Sequence, residues 1–187
     1  KSISNLGDVG WESFEGAFYG CANLTTVEGG KTEEVTSMQN MFRDASLVVP
    51  DTSEWDTSSV ENMQRMFNNA PKANPDTSEW NLANVSDMDK IFKNSGISNK
   101  NYSEFLIMAD ATSDQVDLTL GLIPAKYYSG DATTARDSLT NPLTKNWSIN
   151  DSGQTTPLFG SCIIDGDCTS NNCKNLVCIA GTSGDSC

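Results

Sequence analysis

Residues 59–83 read SVENMQRMFNNAPKANPDTSEWNLA, and two neighbouring stretches lie over them without a gap: EVTSMQNMFRDASLVVPDTSEWDTS from Glu34 and NVSDMDKIFKNSGISNKNYSEFLIM from Asn84. The period is 25 residues. Counted from the phenylalanine of each unit (Phe42, Phe67, Phe92), an apolar residue recurs seven places earlier as Val35, Val60 and Val85, and four places earlier as Met38, Met63 and Met88. Met41, Met66 and Ile91 directly precede the phenylalanine, and thirteen places after it stands Trp55, Trp80 or Phe105. Pro50 and Pro75 share a position eight places on. Self-similarity at this period is the mark of a solenoid, in which a unit that cannot bury its own apolar face stacks on the next.

A weaker unit comes first, with Phe18 in the phenylalanine position, Trp11 and Phe14 in the valine and methionine positions, and Cys21 where Ala45 and Ala70 lie. Four units suffice for a shared core, since about three are needed. Within a unit the apolar spacing follows the helix period, which predicts a short helix burying Val60, Met63, Met66 or Phe67, and Ala70. Ser37 or Thr36, Ser59 and Asn84 are suited to cap it, because a short polar side chain can accept from the free amides of a first turn. The prolines and Asp-Thr-Ser runs stop the helix. The Ser-Glu-Trp segment that follows is expected to be a short parallel strand beside its counterpart one unit on.

The layout resembles the BspA-like leucine-rich-repeat proteins of bacterial surfaces, whose units carry Val-x-x-Met-x-x-Met-Phe-x-x-Ala followed by Trp-Asp-Thr-Ser. Val60, Met63, Met66, Phe67, Ala70, Trp55, Asp56, Thr57 and Ser58 carry the resemblance. It covers roughly residues 5 to 150, the closing part being Tyr102 to Ile107, LTLGLIPAKYYSGDATTARDSL and NWSINDSG. The third unit departs from the pattern at Ile91, Lys100 and Phe105. The resemblance implies an α/β, leucine-rich-repeat-like solenoid of one short helix and one short parallel strand per repeat, and a secreted or cell-surface protein that contacts other proteins.

A net charge of −13 argues against nucleic acid and anionic membranes, because phosphate backbones are bound by neutralising them with Lys and Arg. No apolar run approaches the roughly 20 residues needed to span a bilayer. The sequence starts at Lys1 rather than Met, so any secretion signal or anchor is expected to have been removed or to lie outside it.

Five of the six cysteines (Cys162, Cys168, Cys173, Cys178 and Cys187) fall in a final run rich in Asp, Asn, Gly and Ser, too poor in apolar residues for a core. Such a segment needs covalent staples, which predicts disulfides and an oxidising, extracellular setting. Zinc competes, but the spacings lack a tight two-residue knuckle and the chain has no His. Connectivity stays open among three pairings of the first four, alternation of Cys162 with Cys173 and Cys168 with Cys178 being the guess on shape. Cys21 could pair with Cys187, although its core position reads more simply as a buried thiol. Asp165, Asp167 and Asn171 alternate like the start of a calcium loop, yet the glycine and closing glutamate of an EF-hand are missing.

Without His, the usual general base and metal ligand is lacking, and Ser-His or Cys-His nucleophiles are excluded. The reading is therefore non-enzymatic, with no catalytic residues, metal or cofactor. The methionine stripe at helical spacing reads as packing rather than as a copper site. One acidic feature is sharper: stacked Ser-Glu-Trp strands would align Glu54, Glu79 and Glu104 in a column opposite the aromatic one. Like charges so placed persist only if solvated or relieved by a cation or basic partner, so the column is either a water-exposed face, or a docking surface for a basic partner or a weak calcium site. Among the Asn-x-Ser/Thr sequons, Asn146 and Asn150 are the candidates for glycosylation.

The expected organisation is a solenoid over residues 1–108, its closing cap over 109–150, a linker over 151–161 and a small cysteine module over 162–187. In the cap, Val116, Leu118, Leu120, Leu122 and Ile123 read as a strand, Ala132 to Leu139 as a helix, and Trp147 with Ile149 as a last strand. Two functions fit: an adhesive or protein-binding surface protein, or a subunit of an extracellular filament, sheath or matrix in which copies of the chain join one another. The partner in either case is another protein.

Overall fold

The computed structural model describes residues 1–155. The cysteines from Cys162 to Cys187 and the Asp165–Asn171 loop lie outside the described residues, as does the expected module over 162–187. In chain order the elements are β1 (Ser2–Ile3), β2 (Thr26–Val27), β3 (Val49–Pro50), α1 (Asn99–Thr112), β4 (Thr119–Leu120), β5 (Tyr127–Tyr128), α2 (Asp131–Thr140), β6 (Ser148–Ile149) and β7 (Gln154–Thr155). β1, β2 and β3 form one parallel sheet, in which Ser2 pairs with Thr26 and Thr26 with Val49. β4 pairs with β6 and β5 with β7, also in parallel.

The repeats contain no helix: from Phe14 to Ser95 the expected helical segments are pairs of linked tight turns. In the second unit, the amides of Met41, Arg43 and Ala45 each donate to the carbonyl three residues back (Met38, Asn40 and Phe42). The amides between them go elsewhere, from Met38, Asn40, Phe42 and Asp44 to the carbonyls of Asn62, Gln64, Met66 and Asn68 in the next coil, at 2.8–2.9 Å. Alternate amides thus close turns and bridge coils, which satisfies backbone groups that a buried turn could not leave bare. The same pattern links the first coil to the second and the third to the fourth.

Backbone conformation explains why the helix yields. Two positions per unit, four residues apart, sit in the left-handed region: Gly16, Asn40, Arg65 and Lys90 at one, and Gly20, Asp44, Asn69 and Asn94 at the other. Gly, Asn and Asp adopt this region readily, whereas for Arg65 and Lys90 it costs about 1–2 kcal/mol each. A left-handed residue every fourth position re-aims the chain while leaving the apolar spacing intact, so Val60, Met63, Met66, Phe67 and Ala70 are all fully buried. The expected caps have no helix to cap. Ser59 Oγ instead donates to the Glu33 carbonyl (2.6 Å) and Asn84 Nδ2 to that of Ser58 (2.6 Å), tying coil to coil.

A continuous interior runs along the stack. Phe18, Phe42, Phe67 and Phe92 are face-stacked at centroid distances of 5.5, 5.6 and 6.0 Å, with Trp55 against Phe42 and Trp80 against Phe67. The Ser-Glu-Trp segments are turns rather than strands. Their Asp-Thr-Ser residues explain this: Asp51 and Asp76 each accept from the amide and hydroxyl of the serine two residues on, closing a local turn that competes with extended pairing. Thr52, between Asp51 and Ser53, points inward and bridges coils through Oγ1 to the Asp76 carbonyl, and Thr57 Oγ1 does the same to that of Asn81, whereas the buried Thr77 hydroxyl has no partner among the described residues.

The stack closes where the repeat loses its proline. Lys100 occupies the place of Pro50 and Pro75, and with neither Pro nor Gly between Ile97 and Leu120 the chain enters α1, capped by Ser98 accepting from the Asn101 amide. The expected boundary at residue 108 falls inside this helix. Phe105 meets Phe92 edge-on at 5.1 Å, turning the ring column into the cap. In the segment expected as one strand, Leu118, Leu120 and Ile123 are buried but Val116 and Leu122 are exposed, and left-handed Asp117 and Leu122 bound the short β4. α2 spans Asp131–Thr140 between Gly130 and Asn141. The expected linker start at residue 151 is displaced: the Asp151 side chain is 3 % exposed and accepts from Tyr102 Oη and Arg136 Nε, both at 2.8 Å. β7 follows it, so the cap extends at least to Thr155.

Candidate functional site

Glu54 and Glu79 occupy equivalent exposed positions in successive Asp-Thr-Ser-Glu-Trp turns. The Thr52–Asp76 bond places these turns on adjacent coils, and Trp55 and Trp80, each 2 % exposed, anchor them in the core. Asp51, Asp56 and Asp76 are exposed beside them, so the turns form an acidic edge. Two of its carboxylates are held below the usual range. Asp56 is stabilised in its charged form by the hydroxyl and amide of Ser58, and Asp76 by the amide and then the hydroxyl of Ser78, with Lys100 adding attraction.

Glu104 does not join this edge as the expected column requires. It lies on α1, where Lys100 Nζ pairs with it at 2.6 Å one helical turn away. Absence of the third proline is the reason, since the segment that is a turn in the two preceding units is here part of a helix. Ser103, the counterpart of Ser53 and Ser78, is accordingly buried; it donates to the Asn99 carbonyl and accepts from the Tyr128 amide.

A second face carries the turn pairs, and sequence reading did not single it out. Asn94 Nδ2 donates to Asn69 Oδ1 (2.9 Å) and Asn69 Nδ2 to Asp44 Oδ1 (2.8 Å), a ladder of amides running from coil to coil. Beside it Gln39 Nε2 donates to Gln64 Oε1 and Gln64 Nε2 to Asp87 Oδ2. Arg43, Arg65, Lys90 and Lys93 also stand on these turns. Arg43 lies over the Tyr19 ring and bonds Asn40 Oδ1, Arg65 bonds Gln64 Oε1, and Lys90 pairs with Asp89. The signal was present in the Gly, Asp or Asn that recurs two places after each phenylalanine, as Gly20, Asp44, Asn69 and Asn94.

Asn146 and Asn150 are both exposed. The Asn146 side chain is engaged by Asp117 Oδ1 at 2.6 Å. Cys21, expected in the core, is exposed and forms no disulfide among the described residues. Its position is buried in later units as Ala45 and Ala70, but among the described residues no coil covers the outer side of the first. Among the described residues no group of three or more acidic or cysteine side chains is placed to hold a metal ion, and no helix is long and apolar enough to cross a membrane.

Among known proteins, neither a curated sequence nor a solved structure matches this chain. One protein family does, over residues 12–116, a span that takes in the repeat units and the closing helix and exceeds half of the 187 residues. The chain therefore belongs to the family described as Mycoplasma protein of unknown function, DUF285.

Proposed function

We propose that this chain is a non-enzymatic, extracellular surface protein of the BspA-like type, a leucine-rich-repeat-like solenoid that binds basic protein surfaces through its acidic edge. The observation that carries this reading is the pairing of Glu54 with Glu79 at equivalent exposed positions, each on a turn pinned by a buried tryptophan and an aspartate–serine bond. Preorganised turns present charge without an ordering cost at contact, which favours recognition by a partner of opposite charge. A net charge of −13 adds long-range attraction for the same class of partner. The family resemblance supports a place at the cell surface, and the cysteine-rich tail supports an oxidising one.

The test is binding of a lysine-rich peptide at low salt, with Glu54→Lys/Glu79→Lys compared with the parent. Loss of affinity by about tenfold or more, with weakening in the parent as salt rises, supports the acidic edge. Unchanged binding in the double variant removes it. Sedimentation with and without reductant addresses the filament reading, for which large reductant-sensitive assemblies would speak.

A further inference from the structure

Each of the first three coils exchanges backbone bonds with the coil after it at one parallel rung. The amides of Phe14, Met38 and Met63 donate to the carbonyls of Ser37, Asn62 and Asp87, and the carbonyls of Glu12, Thr36 and Glu61 accept in return from the amides of Thr36, Glu61 and Ser86. These exchanges make the bridges that run from Ser13 through Ser37 and Asn62 to Asp87. The fourth coil carries the same groups without partners. Among the described residues the amides of Met88, Lys90, Phe92 and Asn94 donate to no acceptor, and the Ser86 carbonyl accepts from no donor. The cap buries the side chains of Ile91 and Phe92 but does not complete this rung. A cleft of about 400 Å³ lies there, with Asp87, Asp89 and Lys90 on the coil side and Asp117, Leu118 and Thr119 on the cap side.

Charge in the cleft is one-sided. Asp87 is held by neutral donors, Oδ2 accepting from Gln64 Nε2 and Oδ1 from the Asp89 amide, and Asp117 Oδ1 accepts from Asn146 Nδ2. Lys90 pairs with Asp89, which leaves one cation against three carboxylates. The same register places Glu15, Gln39, Gln64 and Asp89 in one column along the stack, each two residues beyond its bridge.

We propose that this unfilled rung is a strand-addition site for an extended segment of a partner protein that carries basic residues at alternate positions. The backbone supplies the attachment: the Met88 amide donates to a carbonyl of the segment and the Ser86 carbonyl accepts an amide from it, in the parallel sense of the three rungs before. The side chains supply the selection. Residues two apart in an extended segment point the same way, so lysines or arginines at that spacing meet Asp87 and Asp89. A second copy of this chain is the poorer occupant, because its first coil in the same register would set Glu15 beside Asp89, like charge against like. This inference does not rest on the acidic-edge reading, since none of the turns bearing Glu54 and Glu79 lines the cleft.

The experiment is titration of the intact chain with a peptide of four lysine–valine pairs, followed by NMR of the backbone amides. Strand addition slows hydrogen exchange at the Met88 amide by about tenfold or more and leaves exchange at Met63, already paired, unchanged. Affinity falls by about tenfold or more in Asp87→Asn/Asp89→Asn, and equally in Thr119→Trp, which fills the cleft from an exposed position on the cap. It is retained in Glu54→Lys/Glu79→Lys, and a peptide of four glutamate–valine pairs does not bind. Absence of binding, binding that leaves the Met88 amide unprotected, or binding that Thr119→Trp leaves intact overturns the proposal. So does protection of the Met88 amide by self-association of the chain without peptide, which makes a second copy the occupant.

Discussion

At the amino-terminal end of the stack Phe18 is half-covered and Ala17 and Cys21 lie at the surface, whereas at the other end Phe92 and Ile91 are fully enclosed and Phe105 of α1 seats edge-on against the ring column. Both ends derive from the same 25-residue pattern. What separates them is covalent chemistry downstream of the fourth phenylalanine: Lys100 in place of proline lets the chain leave the coil path as a helix, and the segment beyond returns to seal the last coil. Closing the end of such a stack is therefore a matter of a few residues that break the pattern.

The largest effect expected from this comparison is in the ring column. Phe67→Ala removes a ring stacked on both sides and should cost about 3–5 kcal/mol in urea unfolding. Phe18→Ala, at the open edge, should cost about half that, since its burial is incomplete. Equal costs would mean that the open edge is packed as tightly as the centre.

The cap is probed through Asp151. Replacing it by Asn leaves the partly buried Arg136 guanidinium without its counter-charge and weakens the bond to Tyr102, whose hydroxyl is kept protonated far above its ordinary range by burial and by the neighbouring carboxylate. A loss of about 2–3 kcal/mol is expected, read by urea unfolding, with protease cleavage appearing first between residues 99 and 155. Cleavage starting in the repeats instead would show that the cap does not hold the far end.

The smallest effect concerns the amide ladder. Asn69→Ala places a Cβ-bearing, non-polar residue at a left-handed position and removes two side-chain bonds, for about 1–2 kcal/mol. Asn69→Gly restores the backbone freedom and should recover about half of it. If the two variants are equally unstable, the ladder rather than the backbone angle is what the asparagine supplies.

Burial in the repeats was legible because apolar spacing is a one-dimensional signal, and Val60, Met63, Phe67 and Trp80 are in the interior. The local conformation was not. A spacing of three, three or four, and three belongs to a helix, but also to linked turns with a left-handed residue every fourth place, and the latter gain inter-coil bonds that a helix has no free amides to make. The acidic site was half legible: Glu54 and Glu79 share an edge, while Glu104 left it with the helix. The ion pair of Asp151 with Arg136 joins residues fifteen apart across a cap, and nothing in the local pattern signals such a contact.

Taken alone, the sequence determined the repeat length, the identity of the shared interior and the charge of the surface, since each of these is set by which side chains recur and at what interval. Only the tertiary structure decided that alternate amides would serve the neighbouring coil, that the end after the fourth phenylalanine would be closed by α1, and where Glu104, Cys21 and Asp151 would lie. Those outcomes depend on hydrogen-bond partners supplied by another coil or by the cap, and a partner's position is fixed by the folded chain as a whole.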